Sequence, residues 1–396
     1  MKPSRELIDY VWAHKDEDVR KLALGGKQPP QGYTLAEALN AIQARQKLKV
    51  KWKEWWDCPD LFIPEPVIVE QASGPETALY KSRFAADGWR VLDMSGGMGA
   101  DSYAFAQKAR AVTYIDASEE RADIARHNFR HLGQSNITCH TGRAEVEGLE
   151  LARLLQPELI YIDPDRRPGA EGRVFLLEES SPDITTLLPR LTDHSSNSEI
   201  VVKLSPMADL RYLEERLPQP FDTHVVALRR EAKELLLHFH AAARYRTTAV
   251  ELQADRCTVI TADAESYRDT PVREAVGSYL YDLYPAFAKV GYERFDLDDP
   301  VWKPATHTHL YFSDRLTTQF PGRAFQVLDS NHGDKKWLKQ VSKEPLHLLA
   351  KNLPLTTDQL RRQLKIREGG NHFLFAYAVE SGKRQFVLAR RVDANP

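Results

Sequence analysis

The chain has 396 residues, 42% hydrophobic and 28% charged, with a formal net charge of −2. That length predicts two or three domains of roughly 100–200 residues each, and the composition excludes a disordered, collagenous or membrane-spanning class. No run of about 20 apolar residues is present to cross a bilayer. Met1–Trp12 contains Glu6 and Asp9, so it does not read as a secretory leader. Cys58, Cys139 and Cys257 are odd in number and lack metal spacing, which predicts a reducing cytoplasmic setting, no disulfide framework and no metal site. The charge is uneven. Residues 321–396 hold 14 Lys/Arg against 7 Asp/Glu, a surplus of 7, which leaves −9 for the remainder. A basic tail on an acidic body fits a separate nucleic-acid grip, and it also fits an ordinary solvated surface.

In chain order, residues 1–65 read as helical. Ser4–His14 and Leu35–Lys47 carry apolar residues at three- and four-residue spacing. Lys47–Trp56 interleaves Lys49, Lys51 and Lys53 with Trp52, Trp55 and Trp56. This pattern suits base stacking with phosphate neutralisation. It suits equally a tryptophan face packed in a core, the commoner use of large aromatics. Pro59, Pro64 and Pro66 mark a linker. Glu70–Lys81 has helix-forming character, with Ser73 as N-cap and Glu76 three residues on.

From there to about Arg246 the pattern is strand, turn, helix. Strands are expected at Val91–Leu92, Ala111–Ile115, Asn136–Thr141, Glu158–Ile162 and Glu199–Leu204. Helices are expected at Ala100–Lys108 and Ser118–His131, the latter capped by Ser118. Thr223–Leu228 and Glu234–Ala241 are joined by a short charged connection with no room for a helix. They therefore predict a hairpin whose last strand is antiparallel. Residues 247–322 open with strand patterns at Val250–Leu252 and Cys257–Thr261, then a helical run at Glu274–Lys289 and a segment Pro304–Phe312. Residues 323–396 read as a compact α+β module. Its strands are Ala324–Leu328, Leu346–Ala350, Phe373–Val379 and Gln385–Arg390, and its helices Asp334–Val341 and Thr357–Leu364.

The chemistry collects at strand ends, where open α/β sheets bind ligands. Asp93 precedes the turn Met94–Ser95–Gly96–Gly97–Met98–Gly99, whose glycines let backbone approach a ligand. A diphosphate would want a third glycine and a positive helix start. Ser102 stands at the third glycine position, and Asp101 places a carboxylate in the first helical turn. That pairing argues for a cationic, amino-bearing guest. Asp116, after the second strand, suits a ribose diol. Polar residues follow the third strand (Gly142–Arg143–Ala144–Glu145), the fourth (Asp163–Pro164–Asp165–Arg166–Arg167) and the fifth (Lys203, Ser205).

On these residues the sequence resembles the class I S-adenosylmethionine (SAM)-dependent methyltransferases. Asp93, Gly97, Gly99 and Asp116 match that pattern well, and Glu145 matches loosely, with Arg143 where an acid is expected. Asp163 and Pro164 begin the fourth motif, but Asp165 and Arg166 replace its proline and aromatic. Glu70–Lys81, the Asp163–Arg167 loop, Lys351–Asn352–Leu353–Pro354–Leu355 and Gly369–Gly370 further resemble bacterial methyltransferases with a THUMP-like C-terminal domain. The resemblance implies an α/β fold: a Rossmann-like, seven-stranded class I sheet with an antiparallel last strand. To this it adds an N-terminal helical region (1–65) and, beyond the methyltransferase domain (66–246), a ferredoxin-like module with its connecting segment (247–322) and a THUMP-like α+β domain (323–396). It implies SAM as cofactor, held by Ser73, Asp93, Ser95, Gly96, Gly97, Gly99, Asp101, Asp116, Ala117, Arg143, Ala144, Glu145 and Asp163. It also implies methylation of RNA, tRNA or rRNA, without fixing the target.

A sulfonium methyl donor needs no protonated leaving group, so in-line positioning dominates. Asp163 is placed to hold the hydrogens of a base nitrogen, with Pro164 stiffening the loop. Asp165 could share that work. Arg166 and Arg167 could hold a substrate phosphate, or pair with Glu178 and Glu179. Lys203 is either a site residue or a strand-edge lysine reaching for solvent. Two other readings stay open: a methyltransferase for protein or small molecules, and a non-catalytic RNA-binding protein on the same fold. Oligomeric state is not encoded in any legible pattern.

Overall fold

A computed structural model describes residues 3–166, 177–194, 197–217, 219–253, 256–263, 266–297 and 300–392. Arg167 lies outside the described residues, and only the backbone of Arg166 is described. The chain divides into two compact units. The first comprises Met1–His224 and Glu234–Tyr245; the second comprises Val225–Lys233 and Arg246–Pro396.

The first unit is a three-layer α/β body of the expected class. Strands β1 (Arg90–Asp93), β2 (Ala111–Asp116), β3 (Ile137–Thr141), β4 (Leu159–Ile162) and β5 (Glu199–Leu204) run parallel. Helices occupy the connections, because parallel neighbours need a long crossover. The next two strands, β6 (Asp222–Leu228) and β7 (Glu231–Phe239), are separated by only Arg229 and Arg230. Both arginines take positive φ (53° and 68°), the backbone that a two-residue hairpin turn demands. β7 pairs antiparallel with β5, as expected.

The sheet has nine strands, not seven. Its order is β9-β8-β6-β7-β5-β4-β1-β2-β3, where β8 is Thr247–Leu252 and β9 is Cys257–Ala262. The extra pair comes from residues expected to lie in a separate module. Every residue of β8 is buried, a pattern that alternation alone does not reveal.

The N-terminal helices α1 (Arg5–Ala13) and α2 (Leu35–Lys51) form as expected, capped by Ser4 and by a Thr34–Glu37 capping box. Trp52, Trp55 and Trp56 are buried. The first two rings meet the edge of Tyr103 at 6.0 and 5.5 Å. Core packing, rather than base stacking, therefore accounts for the tryptophans. Arg45 is buried beside them and donates to the carbonyls of Trp56, Cys58 and Leu61, its pKa pushed down to about 10 by burial. The Glu70–Lys81 helix is split in two, Pro66–Gln71 and α3 (Pro75–Lys81). Gly74, not Ser73, occupies the N-cap position of α3, and it makes no side-chain cap.

The second unit holds a six-stranded sheet. β10 (Tyr279–Leu283) and β11 (Leu310–Ser313) join β12 (Gly322–Asn331), β13 (His347–Lys351), β14 (His372–Ala378) and β15 (Arg384–Val392) in the order β11-β10-β12-β15-β14-β13. Residues 247–322 thus form no sheet of their own among the described residues; their strands divide between two larger sheets. The helix expected over Glu274–Lys289 is instead β10 followed by the short helix Pro285–Val290. Helices Lys335–Val341 and Thr357–Leu364 pack on one face of this sheet through Leu338 and Leu360. The other face buries Leu280, Phe312, Phe325, Phe375 and Tyr377. No helix among the described residues is long and apolar enough to cross a membrane.

Candidate functional site

The site begins where β1 ends. Asp93 is 1% exposed. It accepts from the Ser95 amide (3.0 Å), the Ser95 hydroxyl (3.2 Å) and the Ser102 hydroxyl (2.6 Å). Burial pushes its pKa up to about 7 against those hydrogen bonds. The turn that follows is seated on an aromatic floor. A Cβ at Gly96 would lie 2.2 Å from the Tyr114 ring, and one at Gly99 (φ +85°) would lie 2.4 Å from Phe129. The Tyr114 hydroxyl donates to the Gly97 carbonyl at 2.9 Å, and the Gly97 amide donates to Asp116 at 3.0 Å. Asp116 therefore fastens the turn as well as facing the cavity. It also accepts from the Ser118 amide (2.8 Å) and, on both oxygens, from Arg121 Nε (3.0 Å each). Arg121, in the first turn of the helix Glu119–His131, escaped the sequence reading. Its signal is its position five residues after Asp116.

Beneath the turn lies a buried ionic cluster. Lys81, from α3, is fully buried. It donates to Ser73 Oγ and Glu234 Oε2, both at 2.8 Å, and pairs with Asp101 at 3.1 Å. Asp101 also accepts from Ser73 (2.9 Å) and Tyr161 (2.8 Å). Burial alone would raise the Asp101 pKa, but Lys81 and Lys203 outweigh it and hold it low. Glu234 keeps a raised pKa because burial there exceeds the pull of Lys81 and Lys203. Lys203, at the end of β5, pairs with Asp163. Burial works to lower the Lys203 pKa, while Asp163, Glu234 and Asp101 raise it further.

The glycine turn and the neighbouring strand ends line a cavity of about 420 Å³, in the range of small-molecule sites. Ser73, Asp93, Ser95, Gly96, Gly97, Gly99, Asp101, Asp116, Ala117, Arg143, Ala144, Glu145 and Asp163 all line it, as does Asp165. Pro164 and Lys203 stand behind the wall, Pro164 buried and Lys203 held on Asp163. The Arg166 side chain and all of Arg167 lie outside the described residues. Glu178, a suggested partner for them, is taken by Arg216 and the Tyr212 hydroxyl.

The charges are better balanced than the sequence implies. Asp101, Asp116 and Asp163 each have a cation, and Asp93 titrates near neutrality. Even so, six acids line the cavity against two arginines, with Lys81 and Lys203 behind them. The set remains net acidic. It suits a guest of net positive charge and opposes a diphosphate.

Residues 322–391 match the THUMP domain-like family. No curated protein matches the chain. The crystal structure of a candidate methyltransferase from Porphyromonas gingivalis W83 is similar over 99% of this chain and 100% of that one, with 28% identity and a TM-score of 0.86. Two further solved structures cover less than half of this chain. A Streptococcus mutans candidate methyltransferase in complex with SAH shows 13% identity over 42% of this chain and 98% of that one, TM-score 0.31. An rRNA methylase from Streptococcus thermophilus shows 12% identity over 43% and 98%, TM-score 0.30. The parallel sheet with its antiparallel hairpin and strand-end cavity has the fold of the class I methyltransferases. In this chain that fold is followed by a C-terminal segment, residues 322–391, similar to the THUMP-like family.

Proposed function

We propose that this protein is a SAM-dependent methyltransferase acting on a base nitrogen of RNA, tRNA or rRNA. The observation that carries the reading is the net acidic cavity at the carboxyl ends of β1 to β4, floored by a glycine turn tied to Asp116. Its volume and donor set fit SAM, whose amino group and sulfonium are cationic. Asp116 and Ala117 would hold the ribose, with Arg121 sharing its donors at Asp116. Asp93, Ser95 and Gly97 would hold the amino-acid end. When bound, SAM supplies a methyl group on a positive sulfonium that departs without needing a proton.

The chain's own residues supply orientation. Asp163, held by Lys203 and by the hydrogen bond from its amide to Ser95 Oγ (2.6 Å), accepts hydrogens from the target nitrogen and aims its lone pair. A base inside a duplex cannot reach such a pocket, so a flipped or single-stranded nucleotide is the substrate. The excess of Lys and Arg in residues 321–396 supports RNA over a neutral small molecule.

Calorimetry with SAM tests the first half. The wild type is expected to bind, Asp116→Ala to lose at least tenfold in affinity, and Asp163→Ala to bind while losing methyl transfer. No measurable SAM affinity in the wild type refutes it. The nucleoside profile of total RNA from cells with and without the gene tests the second half. One missing methylated nucleoside supports RNA. An unchanged profile alongside intact SAM binding favours a protein or small-molecule acceptor.

A further inference from the structure

One end of the Leu280–Phe325 face of the second sheet concentrates positive charge. Strand register builds it. Asp282 on β10 lies directly opposite Arg323 on β12. Phe325, two residues along on the same face, lies opposite Arg391 on β15. Opposed residues share a face with Cβ atoms ~5 Å apart, and diagonal neighbours lie ~7–8 Å apart, so Arg323 and Arg391 project from one patch.

Arg323 pairs with one oxygen of Asp282, and Lys351 Nζ sits 2.9 Å from the other. Arg230, from the hairpin turn that belongs to this unit, lies in the same electrostatic neighbourhood. Burial and the charges of Arg323 and Arg391 push its pKa down, against Asp282. Four cations thus share one carboxylate. Arg323 is 8% exposed, yet its buried Nη1 has no hydrogen-bond partner. Arg230 and Arg391 have no acidic partner among the described residues other than the already paired Asp282.

A buried, unsatisfied guanidinium donor amid like charges is costly unless an anion completes it. The planar donor fork of arginine matches the oxygens of a phosphate. We propose that Arg230, Arg323 and Arg391 form a binding site for a phosphate group, with Asp282 and Lys351 holding Arg323 in place. The phosphate belongs either to a polynucleotide backbone, which rests on the RNA reading above, or to a free phosphate compound.

The test uses the full chain and the double variant Arg230→Gln/Arg391→Gln, both exposed positions that leave the core intact. The pair Arg323→Gln/Asp282→Asn, which removes both charges together, serves as a second variant. Inorganic pyrophosphate is titrated against the melting temperature. Binding of a labelled single-stranded RNA is followed as a function of salt. The wild-type melting temperature is expected to rise with pyrophosphate, and the rise to vanish in both variants. A wild type that gains nothing, or variants that respond as the wild type does, overturns the site. Given a variant-sensitive response, the RNA arm identifies the source. A salt slope reduced by roughly one for each arginine removed assigns the phosphate to the backbone. An unchanged slope, or no RNA binding, assigns it to a free phosphate compound. The complete absence of RNA binding counts separately against the RNA reading.

Discussion

Gly96 and Tyr114 are matched to each other. The ring under the glycine is fully buried and its hydroxyl is already spent on Gly97, so it cannot retreat from a new methyl group. Gly96→Ala is expected to cost about 2–3 kcal/mol by overpacking, measured by chemical denaturation, and to reduce ligand affinity with it. Asp93 gives a pH signature. Its pKa is about 7 in the fold against 3.8 in an open chain. Between those values the folded state keeps a proton that the unfolded state has released. Stability therefore falls as pH rises from about 4 to about 7 and is level above. Asp93→Asn should remove most of that slope, on the order of 3 kcal/mol when stability is compared at pH about 5 and about 8. Glu251, raised to about 7 by burial, contributes a residual slope of the same sign.

At the scale of elements, α3 is tied to β7 by one lysine. Lys81→Met would leave Asp101 and Glu234 buried without their cation. The expected loss is about 3–5 kcal/mol of stability, read from urea unfolding. Adding Glu234→Gln to Lys81→Met should recover part of it. Nothing local in the sequence foretold this contact. Lys81 and Glu234 lie 153 positions apart, and such a pair is fixed only when the sheet is assembled. What was legible is the set of residues at strand ends. Asp93, Asp116, Asp163 and the glycines follow apolar runs whose length and flanks mark them as strands. What misled was short-range pattern without its long-range partners. The Glu274–Lys289 segment has helical spacing, yet Pro285 interrupts it, and Tyr279–Leu283 is claimed as a strand by neighbours on both sides. Ser73 had the chemistry of a cap, but Asp101 and Lys81 compete for its hydroxyl. The carboxylates stand at the strand ends, and their cationic partners Arg121, Lys81 and Lys203 temper the negative field that the acids alone suggested.

At the scale of the whole molecule, composition announced more than one domain and the charge surplus pointed to the C-terminal part. The seam between modules was not readable, because β8 to β11 look alike as strands and differ only in which sheet adopts them. Truncation after residue 322 therefore removes β12, β13, β14 and β15 together. It leaves Leu280, Leu310 and Phe312 without Phe325, Phe375 and Tyr377. The shortened protein is expected to aggregate or melt in separate steps, visible by size-exclusion chromatography and calorimetry. Point substitutions in the arginine cluster are the cleaner way to ask whether that part of the chain grips RNA.

The placement of β15 has a bearing on biosynthesis. This segment, the last strand among the described residues, sits between β12 and β14 in the middle of its sheet. A ribosome that has made everything before Arg384 has produced two half-sheets with a gap between them, and both flanking edges stay open to stray pairing. The nine-stranded sheet has by then had time to close, since its last strand ends at Ala262. The second must wait until Arg384–Val392 clears the exit tunnel, so a premature stop shortly before that point would unzip the entire sheet instead of trimming its margin.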